Sequence, residues 1–154
     1  MARTSTRLTR IALLVALTTG LSSLGSTAAD AGTLTLRGRM YRATNTSRTH
    51  HEVRRVDIQY TLSKLARKHS VAMANRGYIF HTSNPAAYYL DGIRWSTWGE
   101  NVGVTPGTVN DLEQAFMNSE AHRANILNRG FRRVAVGTYR DTDGWLWVTV
   151  FFYG

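Results

Sequence analysis

Residues 116–127 read FMNSEAHRANIL, and this stretch organises the rest of the chain. The pattern predicts one helix that ends at Asn118 and a second helix that begins at Ser119, because serine is a favoured residue at a helix N-terminus. Glu120 places a carboxylate near the positive end of the second helix dipole. His122 therefore lies in the first turn of that helix, where an imidazole ring can point into a cleft.

A predicted β-hairpin follows this stretch. Two apolar segments, residues 131–140 and 145–153, flank residues 141–144, whose sequence Asp-Thr-Asp-Gly is typical of a turn. Both faces of the second segment are apolar, so we expect a central strand that is covered on both sides. The expected fold is α+β, a three-layer α-β-α sandwich with a central, mostly antiparallel sheet.

Two further helices are predicted upstream, over residues 34–47 and 57–75, and the helix that ends at Asn118 is predicted to begin at residue 108. The helix over residues 57–75 has the clearest apolar stripe, with Leu62 and later residues at helical spacing, and Asp57 is expected at its N-cap or in its first turn. His69 lies on this stripe. We expect a core histidine whose ring binds a backbone group.

The segments between these helices carry further polar residues. Residues 78–80 form a short extended run that delivers His81 into a loop, and residues 83–85 are expected to form a turn. Residues 86–98 are aromatic and irregular, which predicts a long loop that covers the core or takes part in function. Residues 99–104 are predicted to form a strand, which is entered through a glycine.

Four pieces of the chain stand in a specific order and spacing. They are Leu62-x-x-Leu65-Ala66-x-x-His69-Ser70-x-x-Met73-Ala74, Phe80-His81-Thr82, Gly99-Glu100-Asn101-Val102 and Ser119-x-x-His122-Arg123-x-Asn125-Ile126-Leu127. In these pieces the chain resembles the CAP superfamily (cysteine-rich secretory proteins, antigen 5 and plant pathogenesis-related proteins), from about Met40 to its end, and it is most similar to the cysteine-free bacterial branch. The resemblance implies the same α-β-α sandwich.

The first 29 residues have the order of a secretory signal peptide. Basic residues precede an apolar run over 11–24, and small residues follow, so cleavage is expected near Ala29 or Ala31. An uncleaved anchor is the alternative. We therefore expect a Sec-exported, secreted protein with a lead-in over residues 30–38, a CAP domain over residues 39–154, and no transmembrane segment in the mature chain.

The net charge and the absence of cysteine limit the classes of binding partner that we expect. The chain has a net charge of +9, almost all of its basic residues are arginines, and it contains no cysteine, which excludes disulfides. A basic extracellular surface favours anionic partners such as acidic lipids or envelope polymers. No zinc-finger, helix-turn-helix or RNA-binding motif is present, so nucleic acid is not an expected partner.

The resemblance also implies a cleft lined by histidines and glutamates. In the family, two of each line the cleft and can hold a divalent metal. His81, Glu100 and His122 match three of these positions, whereas Ser119 stands where the second glutamate is expected. Two interpretations stay open: a three-ligand site for Zn²⁺ or another divalent cation, or a hydrogen-bonded cluster that ties the layers together. Asn101 and Asn125 are expected to hold backbone groups near this cleft.

The resemblance does not imply an enzymatic activity, and we expect a protein that binds a lipid, a sterol or an anionic cell-envelope polymer in this cleft. One alternative is a metal-dependent hydrolase of peptide or cell-wall bonds that uses His81, Glu100 and His122, with Glu100 and His122 as the catalytic residues. A second alternative is a structural envelope protein. Serine hydrolysis by Ser119 is disfavoured, because an N-cap hydroxyl normally accepts a backbone N–H.

Overall fold

The computed structural model describes residues 34–154, which form five helices and four strands. The predicted signal peptide, both predicted cleavage sites and the first residues of the lead-in lie outside this range. The elements are α1 (Leu36–His50), β1 (Asp57–Ile58), α2 (Tyr60–Arg76), α3 (Pro85–Leu90), β2 (Trp98–Thr105), α4 (Val109–Asn118), α5 (Glu120–Ile126), β3 (Arg133–Arg140) and β4 (Leu146–Tyr153).

The four strands form one sheet in the order β1-β3-β4-β2. Strand β4 is antiparallel to both of its neighbours, and only the short pairing of β1 with β3 is parallel. All eight residues of β4 are buried. The prediction of a central strand in a mostly antiparallel sheet is therefore confirmed.

Helices cover both faces of the sheet. On one face, α1, α4 and α5 pack on the even-numbered residues of β4, such as Val150 and Phe152. On the other face, α2 and α3 pack on odd-numbered residues such as Phe151 and Tyr153. This confirms the three-layer α-β-α sandwich.

Helix α2 approaches the sheet most closely at Gly137. A Cβ atom placed there would overlap the backbone of Ala66 and the backbone nitrogen of Arg67. The helix backbone therefore rests directly on β3, and no side chain fits between them. This contact sets the distance between α2 and the sheet.

The prediction that α2 begins at Asp57 is wrong. Asp57 lies in strand β1, where its N–H donates to the Arg132 carbonyl, and the Gln59 N–H donates to the Val134 carbonyl. Residues 57–59 therefore adopt an extended conformation and pair with β3 instead of forming the first helical turn. The helix begins only at Tyr60.

The prediction of an irregular loop over residues 86–98 is also wrong in part. Its first half is helix α3, where the Asn84 side chain accepts a hydrogen bond from the Ala87 N–H and Pro85 occupies the first turn. Proline is well suited to that position because it has no N–H to leave unsatisfied. Tyr89 and Leu90 anchor this helix in the core.

Candidate functional site

Glu100 is the centre of the candidate site. It lies on the edge strand β2 opposite Phe151, so its side chain points to the face that α2 and α3 cover. The side chain is only 2% exposed. Its carboxylate accepts hydrogen bonds from the Thr82 N–H at 2.9 Å and from the Thr82 hydroxyl at 2.7 Å. These two bonds hold the loop after α2 against the strand.

His81 is the exposed partner of this carboxylate. Its Nδ1 lies 3.0 Å from Glu100 Oε1, and its side chain is 63% exposed. A carboxylate accepts hydrogen bonds and does not donate them when ionised, so Nδ1 carries the proton. The lone pair of Nε2 is then directed away from Glu100, toward solvent. The buried glutamate thus orients an exposed hydrogen-bond acceptor.

Two buried polar groups lie beside Glu100. The prediction of a core histidine at His69 is confirmed by its 6% exposure, but its Nδ1 contacts the Thr149 hydroxyl at 3.2 Å rather than a backbone group. Burial lowers the pKa of His69, and the nearby Glu100 charge opposes that shift. Burial, together with the Glu100 charge, raises the pKa of the Tyr89 hydroxyl. Within residues 34–154, His69 Nε2 and the Tyr89 hydroxyl have no hydrogen-bond partner of good geometry.

His122 comes from the opposite helical layer. It lies in the first turn of α5, as predicted, and its ring packs 4.8 Å from the Phe116 ring. Its Nδ1 contacts the Ser119 hydroxyl at 2.9 Å. Ser119 is the N-cap of α5 by position, but its side chain makes no capping hydrogen bond. The expectation that this hydroxyl would accept a backbone N–H is therefore wrong, because the hydroxyl contacts His122 instead.

Electrostatics link the two histidines across β2. Burial lowers the pKa of His122, and the electrostatic interaction with His81 lowers it further. His122 is therefore neutral near pH 7, with Nδ1 beside Ser119. In both rings Nδ1 is engaged, and Nε2 makes no hydrogen bond to any group of residues 34–154.

Two asparagines hold the backbone around this site, as predicted. The Asn101 amide donates to the His122 carbonyl at 3.0 Å, and the Asn125 amide donates to the Glu100 carbonyl at 3.3 Å and to the Asn101 side chain at 2.8 Å. Helix α5 is thereby fixed to the strand that carries Glu100. The histidine of one layer and the glutamate of the other consequently share one strand as their support.

The three expected metal ligands do not fit a metal site in this arrangement. Both Glu100 oxygens are already hydrogen-bonded to Thr82 and His81, so the carboxylate is not free to complete a three-ligand set, although Nε2 of each histidine stays open. In the part of the chain that the structure describes, no group of three or more His, Cys, Asp or Glu side chains is placed to hold a metal ion. The hydrogen-bonded cluster is the interpretation that this geometry favours.

Sequence reasoning missed Thr82 and Tyr89 as members of the site. Thr82 follows His81 directly in a motif that the chain shares with the family, and that position was the available signal. Tyr89 gave no signal, because one tyrosine among several aromatic residues does not reveal which ring is buried beside a carboxylate.

Glu113 lies close in sequence to Ser119 but is remote from the cleft. It is buried between α1 and α4, where the Thr44 and Ser47 hydroxyls donate to it. It therefore does not replace the second glutamate that the resemblance implies.

A family comparison agrees with this architecture. The model of the cysteine-rich secretory protein family, CAP, matches residues 41–153. The chain belongs to the CAP family. Because the chain has no cysteine, its CAP domain holds together without disulfides.

Bacterial proteins are among the relatives of this CAP domain. The uncharacterized protein YkwD of Bacillus subtilis is 36% identical over 107 residues, which span 66% of this chain and 42% of YkwD. This chain thus matches less than half of that relative's length. An extracellular Bacillus anthracis protein that contains an SCP domain has a similar structure, with a TM-score of 0.66, 24% identity, and coverage of 77% of this chain and 40% of that one.

An outer surface protein of Borrelia burgdorferi shares the fold at a TM-score of 0.68 and 18% identity, with coverage of 78% of this chain and 95% of that one. At these identities the two structures establish the fold alone. Within residues 34–154 of the CAP domain, no helix is both long enough and apolar enough to span a membrane.

Proposed function

We propose that this CAP-family protein is exported and binds a lipid or another cell-envelope component in the cleft formed by His81, Glu100 and His122. The orientation of His81 by the buried Glu100 carboxylate carries the proposal. A purely structural ion pair would not need to leave most of the imidazole in solvent.

The cleft groups recognise hydrogen-bond donors. The Nε2 atom of a neutral imidazole in this cleft acts as an acceptor, since each Nδ1 is occupied inside the protein. Hydroxyl and amide groups donate to such acceptors, and both are plentiful in glycerol head groups and in wall glycopeptides. Glu100 stays inside the protein as an anchor, because its oxygens are already hydrogen-bonded.

Export is supported by the sequence and by relatives. The first 29 residues have the pattern of a secretory signal. The Bacillus anthracis protein is described as extracellular and the Borrelia protein as an outer surface protein. A cell-envelope ligand is therefore within reach of the exported domain.

The test is thermal unfolding in EDTA with phosphatidylglycerol vesicles, and separately with soluble wall fragments. A ligand at about 100 times its dissociation constant adds about 2.7 kcal/mol to the native state. For a domain of this size, that raises the midpoint by roughly 10 °C. We expect at least one probe to do so for the wild type, and His81→Ala to abolish the shift.

The matched control is His50→Ala, which removes an exposed histidine from the end of α1. It should leave the shift intact. The proposal is overturned when neither probe stabilises the wild type, when His81→Ala binds as well as the wild type, or when stabilisation requires added Zn²⁺. The last result would restore the metal site.

A further inference from the structure

A cavity lies at the edge of strand β3, beyond the end of β1. It has a volume of about 250 Å³. Its walls come from the start of α1, from α2 and from β3, so they belong to both helical layers and to the sheet between them. Such a cavity has to lie at an edge of the sheet rather than on a face, and we call it the edge cavity. Its lining residues are Thr35, Leu36, Arg37, Arg67, Val136 and Thr138.

The strand edge contributes backbone donors to this cavity. Strand β1 ends at Ile58, opposite Val134, so among residues 34–154 no strand pairs with the rest of β3 on that side. The Val136 N–H points to this free edge, because it donates to the Ser63 hydroxyl at 3.0 Å. Backbone groups alternate in direction along a strand, so the Thr138 N–H points to the same edge. It is available to a ligand in the edge cavity.

Two arginines of the edge cavity are positioned by aromatic rings. The Arg37 guanidinium lies 5.4 Å from the centre of the Tyr60 ring, and the Arg67 guanidinium lies 5.8 Å from the centre of the Tyr139 ring. Stacking on a ring restrains a guanidinium while its N–H groups stay free to donate in its plane. Arg48 differs, because backbone carbonyls occupy its donors.

No group in the described part of the chain neutralises the positive charge of the edge cavity. No acidic residue lines it. Within residues 34–154, Arg37 and Arg67 take part in no ion pair, and their side chains donate no hydrogen bond. Two fixed cations and a free backbone N–H thus face one small space without a counter-charge.

We propose that the edge cavity binds a phosphate group through Arg37, Arg67 and the Thr138 N–H. One arginine fork satisfies the two oxygens of a carboxylate. Two guanidinium groups and one amide N–H can donate to more than two oxygens, and a phosphate group supplies them. The volume lies just below the usual range for small-molecule pockets. It suits free phosphate or a phosphate ester of a small polyol.

The test is an amide and arginine NMR titration of the purified protein at constant ionic strength. Inorganic phosphate is the first probe, and glycerol 3-phosphate is the second. Saturable shifts of the Thr138 amide and of the Arg37 and Arg67 Nε–H signals are expected with one or both. Tighter binding of the ester identifies an esterified ligand, and equal binding identifies the free anion. Arg37→Gln and Arg67→Gln should each weaken binding by about tenfold or more.

Arg55→Gln is the matched control, since it removes one exposed charge outside the edge cavity. It should leave the affinity unchanged. Equal weakening by Arg55→Gln, unchanged affinity in both cavity variants, or the absence of a saturable Thr138 shift would overturn the proposal. His81→Ala should not affect this titration, so a failure here is distinguishable from a failure of the cleft proposal. Thermal unfolding of each variant establishes that it is folded.

Discussion

Replacement of Thr82 by valine should destabilise the domain more than removal of His81, although both residues contact the Glu100 carboxylate. Thr82→Val keeps the backbone N–H bond but removes the hydroxyl that donates to Glu100 Oε2 at 2.7 Å. This oxygen belongs to a side chain that is 2% exposed, so water cannot readily replace the lost donor. A buried charged acceptor that loses such a bond costs about 1.5–3 kcal/mol.

His81→Ala should cost less than about 1 kcal/mol, because its side chain is 63% exposed and exposed ion pairs contribute little. Water can reach Glu100 Oε1 once the ring is gone.

Urea unfolding at pH 7 measures both effects. With a slope near 2 kcal/mol per molar, Thr82→Val should lower the midpoint by about 1 M and His81→Ala by less than about 0.5 M. Thr46→Val, on the exposed side of α1, is the control and should change the midpoint little. A larger loss for His81→Ala than for Thr82→Val would refute the reasoning that Thr82 is the main anchor of Glu100.

Three further predictions concern pH and packing. Burial lowers the pKa of both His69 and His122, so the folded state disfavours their charged forms. The free energy of unfolding should therefore be highest above about pH 6.5, where both rings are neutral in the unfolded chain as well, and should fall as the pH drops below that value. Urea unfolding between about pH 8 and pH 5 measures this pH dependence, and the change of unfolding free energy with pH should be smaller in His122→Asn. Burial raises the pKa of Glu113, so the stability that its protonated form provides is present at low pH and is lost as the pH rises through that pKa. Glu113→Gln should remove this pH dependence, and the variant should unfold at neutral pH at no lower urea concentration than the wild type. Gly137→Ala forces a methyl group into the α2 backbone and should cost about 3 kcal/mol in urea unfolding, whereas an unchanged midpoint would contradict the close approach of α2 to β3.

The strongest patterns in the sequence can be recognised within one short segment each, and they were sufficient to predict the sandwich. Strand β4 is apolar on both faces, and only a central position with helices on each side buries both. The two helices around Ser119 likewise follow from residues that favour helix ends. Such patterns need no knowledge of distant partners.

The errors have a common cause in tertiary pairing. Asp57 looks like a helix N-cap, but β3 uses the backbone at this point, and nothing in residues 57–60 reveals that strand. Asn84 and Pro85 favour a turn, although the same pair also begins a helix. Local sequence permits both outcomes, and the packing of Tyr89 against Phe151 favours the helix.

The sequence predicted the two histidines and the glutamate of the candidate site, but it did not predict Thr82, Tyr89 or most of the contacts. His81 and Glu100 do meet, as the family motifs implied. The predicted partner of Ser119 was wrong, because an N-cap serine can turn its hydroxyl toward a side chain three residues later. The edge cavity gave no sequence signal at all, since Arg37 and Arg67 are far apart in the chain and look like other surface arginines.

The most direct test of the cleft proposal is an NMR spectrum of the histidine ring nitrogens, recorded before and after addition of the vesicles or wall fragments that stabilise the domain. The free protein should show His81 protonated at Nδ1 and unprotonated at Nε2, and the ligand should shift the Nε2 signals of His81 and His122. A His81 ring that is protonated at Nε2 in the free protein, or ring signals that do not change on binding, would contradict the proposal that Glu100 presents His81 to a ligand.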